Sequence, residues 1–188
     1  DTDRHLGIPG EDLAGSHAAT DFVGWYNGHP DYADQRFDLS AERVAVIGMG
    51  NVAIDVVRIL ASTPEQLEAT DIAAPALEAL RGSRVREIWM IGRRGPVQAA
   101  FTNPELRELG ELADADVVVR PGEIALDPAS EAALAILEHR HTAERNIETL
   151  RVFALKPRTG RRRTIHLRFL CSPIEISGSG RVERLVIE

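Results

Sequence analysis

The sequence predicts an α/β fold in which a parallel sheet carries flanking helices and a small antiparallel hairpin lies near the C-terminus. The runs 43–47, 85–91 and 117–119 are short and rich in apolar and β-branched residues, as buried parallel strands are. Stretches with helical spacing separate these runs. Strands that alternate with helices indicate a parallel sheet of the α/β class.

Helical spacing is clearest over residues 51–61, where apolar side chains form a broad face. Thr63-Pro64 ends this helix, because proline disfavours helical geometry in the residue before it. Residues 65–80 are expected to form two short helices interrupted near Pro75. A further short helix is expected within residues 12–25, which are otherwise rich in turn formers.

Two more helical stretches lie in the second half of the chain. Residues 104–113 begin helically, with Asn103 as the predicted N-cap and Pro104 at the first helical position, where a missing N–H costs little. Residues 129–150 also carry helical spacing, with a break expected around His141.

The C-terminal part contains three runs that alternate or remain apolar as strands do, at 164–170, 173–177 and 182–187. The segment Gly178-Ser179-Gly180 separates the last two runs. Glycine-rich turns of this length join antiparallel strands, so a hairpin is expected here.

Composition narrows the classes of function. The chain has 188 residues, of which 44% are hydrophobic, and this suits a globular domain. A net charge of −7 argues against a nucleic-acid binder, which usually needs a basic surface. The single cysteine, Cys171, excludes an intramolecular disulfide and a cysteine-held iron–sulfur site, and fits a cytoplasmic protein.

Other classes are excluded by what the sequence lacks. No apolar run reaches the length that a membrane-spanning helix requires. The six histidines show no ligand spacing, so no metal site is expected. The first residue, Asp1, is not methionine and the opening segment reads like the middle of a protein. We therefore expect the sequence to be part of a longer chain.

A glycine loop follows the first predicted strand and opens the first long helix: Gly48-Met49-Gly50-Asn51-Val52-Ala53. In this context G-x-G-x-x-A is the fingerprint of a Rossmann-like dinucleotide-binding fold. Gly48 would allow the tight turn, Gly50 would let a pyrophosphate approach the backbone, and Ala53 would allow close packing of helix on strand. The alternative interpretation is a glycine turn that serves only packing.

The second strand ends in Ile91-Gly92-Arg93-Arg94-Gly95. An NAD site usually has an acidic residue here, which accepts hydrogen bonds from the ribose 2′-hydroxyl. Two arginines suit a 2′-phosphate instead, so the sequence favours NADP; a solvated basic turn is the alternative. Because the spacing from Gly48 to Arg93 exceeds the usual one, the helices within 65–80 must form an insertion.

These motifs and their neighbours resemble the adrenodoxin reductase family, which includes the related bacterial ferredoxin–NADP reductases. The matching stretches are LGIPGEDL (6–13), FVGWYNGHP (22–30), VAVIGMGNVAIDVVRIL (44–60), IGRRGPVQAAFTNPELREL (91–109) and RFLCSPIEISG (168–178). The family has two nucleotide-binding domains of the glutathione-reductase type, one for FAD and one for NADP. The resemblance implies that residues 41–188 are the NADP(H) domain, ending at the return to the absent FAD domain. It also implies that residues 1–40 are a linker from the FAD domain, packed on the NADP domain.

The resemblance also implies roles for individual residues. Asn51 and Val52 would meet the pyrophosphate, and Arg93 and Arg94 the 2′-phosphate. Glu105 matches a family acid near the nicotinamide, where it would orient the carboxamide or balance charge and is expected to be catalytic; the alternative is a solvent-facing carboxylate. Met49 stands where glutamine is common in the family, which removes no predicted contact, because the loop acts through its backbone.

The activity implied is that of a ferredoxin–NADP(+) reductase, in which NADPH passes a hydride to FAD and an iron–sulfur protein is reduced by single electrons. The chain alone is expected to be inactive, because it lacks the FAD part. The run Arg161–Arg163 is either a docking face for an acidic ferredoxin or a solvated loop. Two alternatives stay open: a stand-alone NADPH-binding sensor or scaffold, and the NADPH domain of a flavoprotein like the glutamate synthase small subunit. A self-sufficient dehydrogenase is disfavoured, because no Ser-Tyr-Lys or His-Asp constellation is present.

Overall fold

The computed structural model describes residues 5–188, and its core is a four-stranded parallel sheet with helices packed on it. The predicted α/β class, the parallel sheet and the small antiparallel hairpin are confirmed. The strands are β1 (Arg43–Ile47), β2 (Glu87–Ile91), β3 (Ala115–Val119), β4 (Arg163–Arg168), β5 (Pro173–Ser177) and β6 (Arg184–Ile187). The helices are α1 (Ala19–Tyr26), α2 (Asn51–Ala61), α3 (Pro64–Glu68), α4 (Ala74–Arg81), α5 (Asn103–Leu109), α6 (Pro128–Ala135) and α7 (Arg140–Leu155).

The parallel sheet has the strand order β1-β2-β4-β3, so β1 lies at one edge. β5 and β6 form a separate antiparallel pair, as the Gly-Ser-Gly turn predicted. One face of the parallel sheet is fully buried, with Ile88, Met90, Ile165 and Leu167 at 0% exposure. This face packs against α2, whose apolar side provides Val57 among others. Burial of this apolar layer is the main stabilising term of the domain.

On the opposite face of the sheet, Trp89 and His166 are half-buried and stacked. Their ring centroids are 3.9 Å apart and the ring planes differ by 11°. The two side chains are direct neighbours because β2 and β4 pair in register at these positions. Burial lowers the pKa of His166, so the imidazole in this stack is neutral at physiological pH.

Helix α1 packs against α2 and α4 and buries Phe22, Trp25 and Tyr26. These residues recur at helical spacing, so they lie on one face of the helix. The backbone oxygen of Tyr26 accepts a hydrogen bond from the N–H of Ala73, at 2.8 Å. The short helix predicted within residues 12–25 is therefore present, displaced toward the C-terminus, and it is part of the core.

Three helices, α2 to α4, connect β1 to β2, and these two strands pair directly and in parallel. The inference that the region 65–80 is an insertion within one strand–helix–strand unit is thus confirmed. The break between its helices precedes Pro75, which lies in the first turn of α4. Proline is tolerated there because a first-turn N–H has no partner within the helix.

One predicted helix boundary was wrong. Thr102, and not Asn103, is the N-cap of α5; Asn103 is its first residue, and its side-chain amide donates to Asn146 and Thr149 of α7. A long-range hydrogen bond to a buried acceptor has replaced the local cap. The break expected around His141 is present between α6 and α7, and it ends at His139, the N-cap of α7.

Asp116 on β3 holds the loop that connects α7 to β4. Its carboxylate accepts hydrogen bonds from the N–H groups of Thr159, Gly160 and Arg161, at 2.9 to 3.2 Å, and from the Thr159 hydroxyl at 2.7 Å. Burial alone would raise the pKa of Asp116, but these donors stabilise the ionised form more strongly and lower its pKa below the usual 3.8.

Replacement of this carboxylate tests the anchor. We expect Asp116→Asn to lower the free energy of unfolding by about 2 kcal/mol at pH 7, because the N–H groups of the loop lose a charged acceptor. The pKa of the folded state is depressed, so the stabilising effect is complete above the unfolded pKa and is lost as the pH falls through the folded value. The gap between wild type and variant, measured by urea unfolding, should therefore close below pH 3.8. A gap that persists in acid would contradict this assignment.

Candidate functional site

The glycine loop and the arginine pair are neighbours at the carboxyl edge of the sheet. The parallel pairing of β1 with β2 places Ile47 opposite Ile91, so the loops that follow both strands start at the same level. The N–H of Gly48 donates to the backbone oxygen of Ile91, at 2.9 Å. Residues far apart in sequence thereby form one continuous surface, in the position where parallel α/β sheets bind ligands.

The backbone of the loop requires glycine at Gly48 and leaves space at Gly50. Gly48 has φ +139°, a conformation that side chains rarely allow. Gly50 is the N-cap of α2 with φ −123° and ψ 178°, and a Cβ built there would meet nothing within 4 Å. Ala53 is buried, and a Cβ on Gly48 would lie 3.7 Å from its Cβ. The first glycine shapes the turn, and the second leaves the helix N-terminus open.

Met49 and Gly92 fasten the two loops together. The Met49 side chain lies against Gly92, where an added Cβ would collide with the Met49 Cγ. The Met49 backbone oxygen accepts a hydrogen bond from Ala100, at 2.7 Å. The side chain at position 49 thus packs between the two loops.

The first turn of α2 presents unsatisfied N–H groups at this edge. The N–H groups of Asn51, Val52 and Ala53 precede the first intrahelical hydrogen bond, which joins Ile54 N–H to the Gly50 oxygen at 3.1 Å. Such groups, together with the helix dipole, attract anions. The Asn51 side chain is already used, because its Oδ1 accepts from the Thr102 N–H at 2.9 Å. Asn51 can therefore meet an anion through its backbone.

Arg93 and Arg94 provide exposed positive charge at the carboxyl end of β2. Arg93 and Arg94 are both exposed, and neither forms an ion pair within residues 5–188. The neighbouring strand differs, since Arg168 at the end of β4 is mostly buried and paired with Glu123 at 2.8 Å. An anion at this edge would therefore meet its free guanidinium groups at β2.

Glu105 lies in the first turn of α5, which packs beside α2. The residue is half-buried, and its Oε2 atom is buried with no hydrogen-bond partner in the described part of the chain. A buried oxygen without a partner is costly and is usually satisfied by a ligand or solvent. The solvent-facing alternative for Glu105 is therefore disfavoured by its burial.

One part of the site was missed at the sequence level. Asn146 of α7 is 1% exposed and donates to the backbone oxygen of Phe101, at 2.9 Å, while accepting from Asn103. It holds the segment that leads from β2 across the glycine loop to Glu105. A pattern could have revealed it, because Asn146 is the polar member of an apolar helical face that includes Ala143 and Leu150.

The arginine run near β4 is not a continuous exposed patch. Arg161 donates to the backbone oxygens of Leu112 and Ala115, at 2.7 and 3.0 Å. Arg163 is 3% exposed and pairs with Asp114. Two of the three guanidinium groups thus stabilise the fold, and this weakens the docking interpretation. The third arginine, Arg162, is exposed.

The described residues 5–188 contain no group of three His, Cys, Asp or Glu side chains that could hold a metal. In the same range, no helix combines the length and apolar character that a transmembrane span needs.

Known proteins resemble this chain over nearly all of its length. It is 50% identical, over 187 residues, to the NADPH-ferredoxin reductase FprA of Mycobacterium leprae. It is 48% identical over 132 residues to a mitochondrial NADPH:adrenodoxin oxidoreductase of Arabidopsis thaliana, a match that covers 70% of the chain. The chain is therefore homologous to proteins of the adrenodoxin reductase family. The resemblance inferred from the motifs is thereby confirmed, although no family model matches the chain.

Solved structures agree with this assignment. FprA of Mycobacterium tuberculosis in complex with NADPH superposes with a TM-score of 0.90 at 50% identity, and the match covers 99% of this chain. The chain spans about 40% of the length of the FprA relatives, and 27% of the plant oxidoreductase.

The two loop glycines should respond differently to alanine. Gly48→Ala forces a side chain into a positive-φ conformation and should lower the free energy of unfolding by about 1–3 kcal/mol. Gly50→Ala is the matched control, because its φ is ordinary and its Cβ meets open space. It should change stability by less than about 1 kcal/mol. Denaturant unfolding measures both, and equal destabilisation would contradict the distinction.

Proposed function

We propose that this chain binds NADP(H) across the carboxyl edge of its sheet. The observation that carries the proposal is the unpaired arginine pair, Arg93 and Arg94, beside the open N-terminus of α2. The pyrophosphate would lie on the first-turn N–H groups above Gly50, and the 2′-phosphate on the guanidinium groups. A relative, FprA of Mycobacterium tuberculosis, is described in complex with NADPH, which supports the proposal.

We further propose that the chain is the NADP(H)-binding domain of a flavin-dependent ferredoxin or adrenodoxin–NADP(+) reductase. The names of its relatives support this activity. Residues 41–188 would form that domain, and residues 1–40 would connect it to an FAD domain outside this sequence. An iron–sulfur protein would be the electron acceptor. The free, buried Cys171 fits a reducing compartment such as the cytoplasm.

The chain's own residues would bind and orient the nicotinamide nucleotide. Met49 and the Ala100 hydrogen bond fix the loop, so the pyrophosphate meets preformed donors. Glu105 would lie near the nicotinamide, where its unpaired oxygen would accept from the carboxamide or balance the positive ring of NADP+. FAD, when bound in the whole protein, would supply the hydride acceptor and the one-electron chemistry.

Calorimetric titration with NADP+ and NAD+ tests the proposal. The wild-type chain should bind NADP+ much more tightly than NAD+. Replacement of both arginines, Arg93→Ala with Arg94→Ala, removes charge-assisted hydrogen bonds, and should weaken NADP+ binding about 100-fold. NAD+ lacks the 2′-phosphate, so its affinity should change by no more than about twofold.

A matched control separates local contacts from overall charge. Arg84 and Arg86 are exposed and precede β2, at the other end of the strand from the arginine pair. Their replacement by alanine changes the net charge equally and should leave NADP+ affinity nearly unchanged. Equal affinities of the wild type for NADP+ and NAD+, or equal losses in both double variants, would overturn the role given to Arg93 and Arg94.

Glu105→Gln tests the role of the carboxylate. If the carboxylate lies beside the nicotinamide, its charge favours the cationic ring of NADP+ over the neutral ring of NADPH. Loss of about 1 kcal/mol of Coulomb attraction corresponds to about fivefold weaker NADP+ binding. NADPH affinity should not fall. Parallel titrations with the two redox forms measure this, and an unchanged affinity ratio would exclude the charge-balancing role of Glu105.

A further inference from the structure

Two arginines are neighbours at the amino edge of the parallel sheet, the edge at which β2 and β4 begin. The register pairs Glu87 of β2 with Thr164 of β4, so the residues that precede them, Arg86 and Arg163, also lie side by side. The N–H of Thr164 donates to the backbone oxygen of Arg86, at 2.8 Å, and this fixes the arrangement. Like charges at facing positions of adjacent strands are destabilising. The sheet thus brings together two positive side chains that lie far apart in the sequence.

Arg162 adds a third positive charge at this edge. Its Nη2 donates to the backbone oxygen of Ser83, at 3.5 Å, so the side chain reaches from the start of β4 toward the start of β2. Burial lowers the pKa of Arg163, the charges of Arg162 and Arg86 lower it further, and the nearby Asp114 raises it. Three guanidinium groups and one carboxylate give this amino-edge cluster a net charge of +2.

The buried member of the cluster, Arg163, is incompletely satisfied. Its side chain is 3% exposed, and its Nη1 lies 3.5 Å from the carboxylate of Asp114. Its Nε is buried and has no hydrogen-bond partner among residues 5–188. A buried cation is costly unless its charge is balanced and its donors are bonded. One carboxylate at this distance does not balance three arginines, so the cluster lacks negative charge.

The other two arginines are open to solvent. Arg86 and Arg162 are exposed, and neither forms an ion pair in the part of the chain that the structure describes. The acid next to Arg86 in the sequence, Glu87, is already paired with Arg43, at 3.1 Å. Guanidinium forks match the oxygens of a phosphate and bind it through charge-assisted hydrogen bonds. A small oxyanion can therefore reach the cluster from solvent.

We infer that the amino edge of the sheet binds a phosphate dianion through Arg86 and Arg162, with Arg163 as the buried charge behind them. A phosphate dianion carries the charge that neutralises the cluster. Arg93 follows Arg86 by seven residues, which an extended strand converts into about 20 Å, so one phosphate group cannot contact both ends of β2. The site is separate from the surface proposed for NADP(H), and the inference does not depend on that proposal.

Calorimetric titration with inorganic phosphate tests the site. The parent chain for this test carries Arg93→Ala with Arg94→Ala, which removes the guanidinium groups at the carboxyl edge. Addition of Arg86→Gln with Arg162→Gln should weaken phosphate binding about 30-fold, because charge-assisted hydrogen bonds are lost. Arg145→Gln with Arg151→Gln is the matched control, since both arginines are exposed on α7 and the net charge changes equally. Its phosphate affinity should stay within about twofold of the parent.

Urea unfolding separates a specific site from a general effect of salt. Without phosphate, Arg86→Gln relieves the repulsion of Arg163, so its unfolding midpoint should not fall below that of the parent. Phosphate should raise the midpoint of the parent, because a ligand of the folded state stabilises it. The midpoint of Arg86→Gln should not rise at the same ionic strength, which sodium chloride keeps constant. An equal rise in both chains would contradict the site.

A second probe distinguishes free phosphate from a phosphorylated small molecule. Equal affinities for inorganic phosphate and glycerol 3-phosphate support a site for the phosphate group alone, and tighter binding of the ester supports a small phosphate monoester as the ligand. Phosphate affinity that is unchanged by Arg86→Gln with Arg162→Gln, or that falls equally in the α7 control, overturns the inference. Failure of the wild-type chain to bind NADP+ would overturn the proposed function alone, because the parent chain here lacks Arg93 and Arg94.

Discussion

The in-register parallel pairing of β1 with β2 is the constraint on which the rest of the site depends. The hydrogen bond from Gly48 to Ile91 brings the glycine loop level with the arginine tip. Three helices separate β1 from β2 in the sequence. Because the two strands nevertheless pair directly, the length of these helices does not alter the geometry of the site. The same register extends to the neighbouring strand β4, which pairs with β2 in parallel. A shift of one residue would move every side chain of β2 to the other face of the sheet, and Ile88 and Met90 would leave the core.

A second layer of contacts keeps the glycine loop in place without relying on a ligand. The segment after β2 returns across the loop, where Ala100 donates to Met49 and Thr102 donates to Asn51. Helix α7 supports this segment from behind through the buried Asn146. The loop is thus held by backbone and amide groups that point away from the surface that a nucleotide would use. Preorganisation of this type reduces the ordering that binding would otherwise require.

The sequence predicted the elements with strong periodicity and missed those set by long-range contacts. β1 and α2 begin and end where the β-branched run, the glycines and Thr63-Pro64 indicated, because local propensity and burial agree there. The cap at Asn103 was wrong because its amide finds a better partner 43 residues away, which no local pattern contains. In the site, glycines and arginines carry recognisable spacing.

The free guanidinium groups of Arg93 and Arg94 have a consequence for how such a site can change over time. They lie on the surface and pair with no acid in the described part of the chain, so the core does not depend on them. Gly48 and Gly92 are different, because turn geometry and the packing of Met49 fix them. If the proposed binding holds, the choice of nucleotide and the ability to fold reside in separate residues. A lineage could exchange one cofactor for the other through a few surface substitutions, without passing through unstable intermediates.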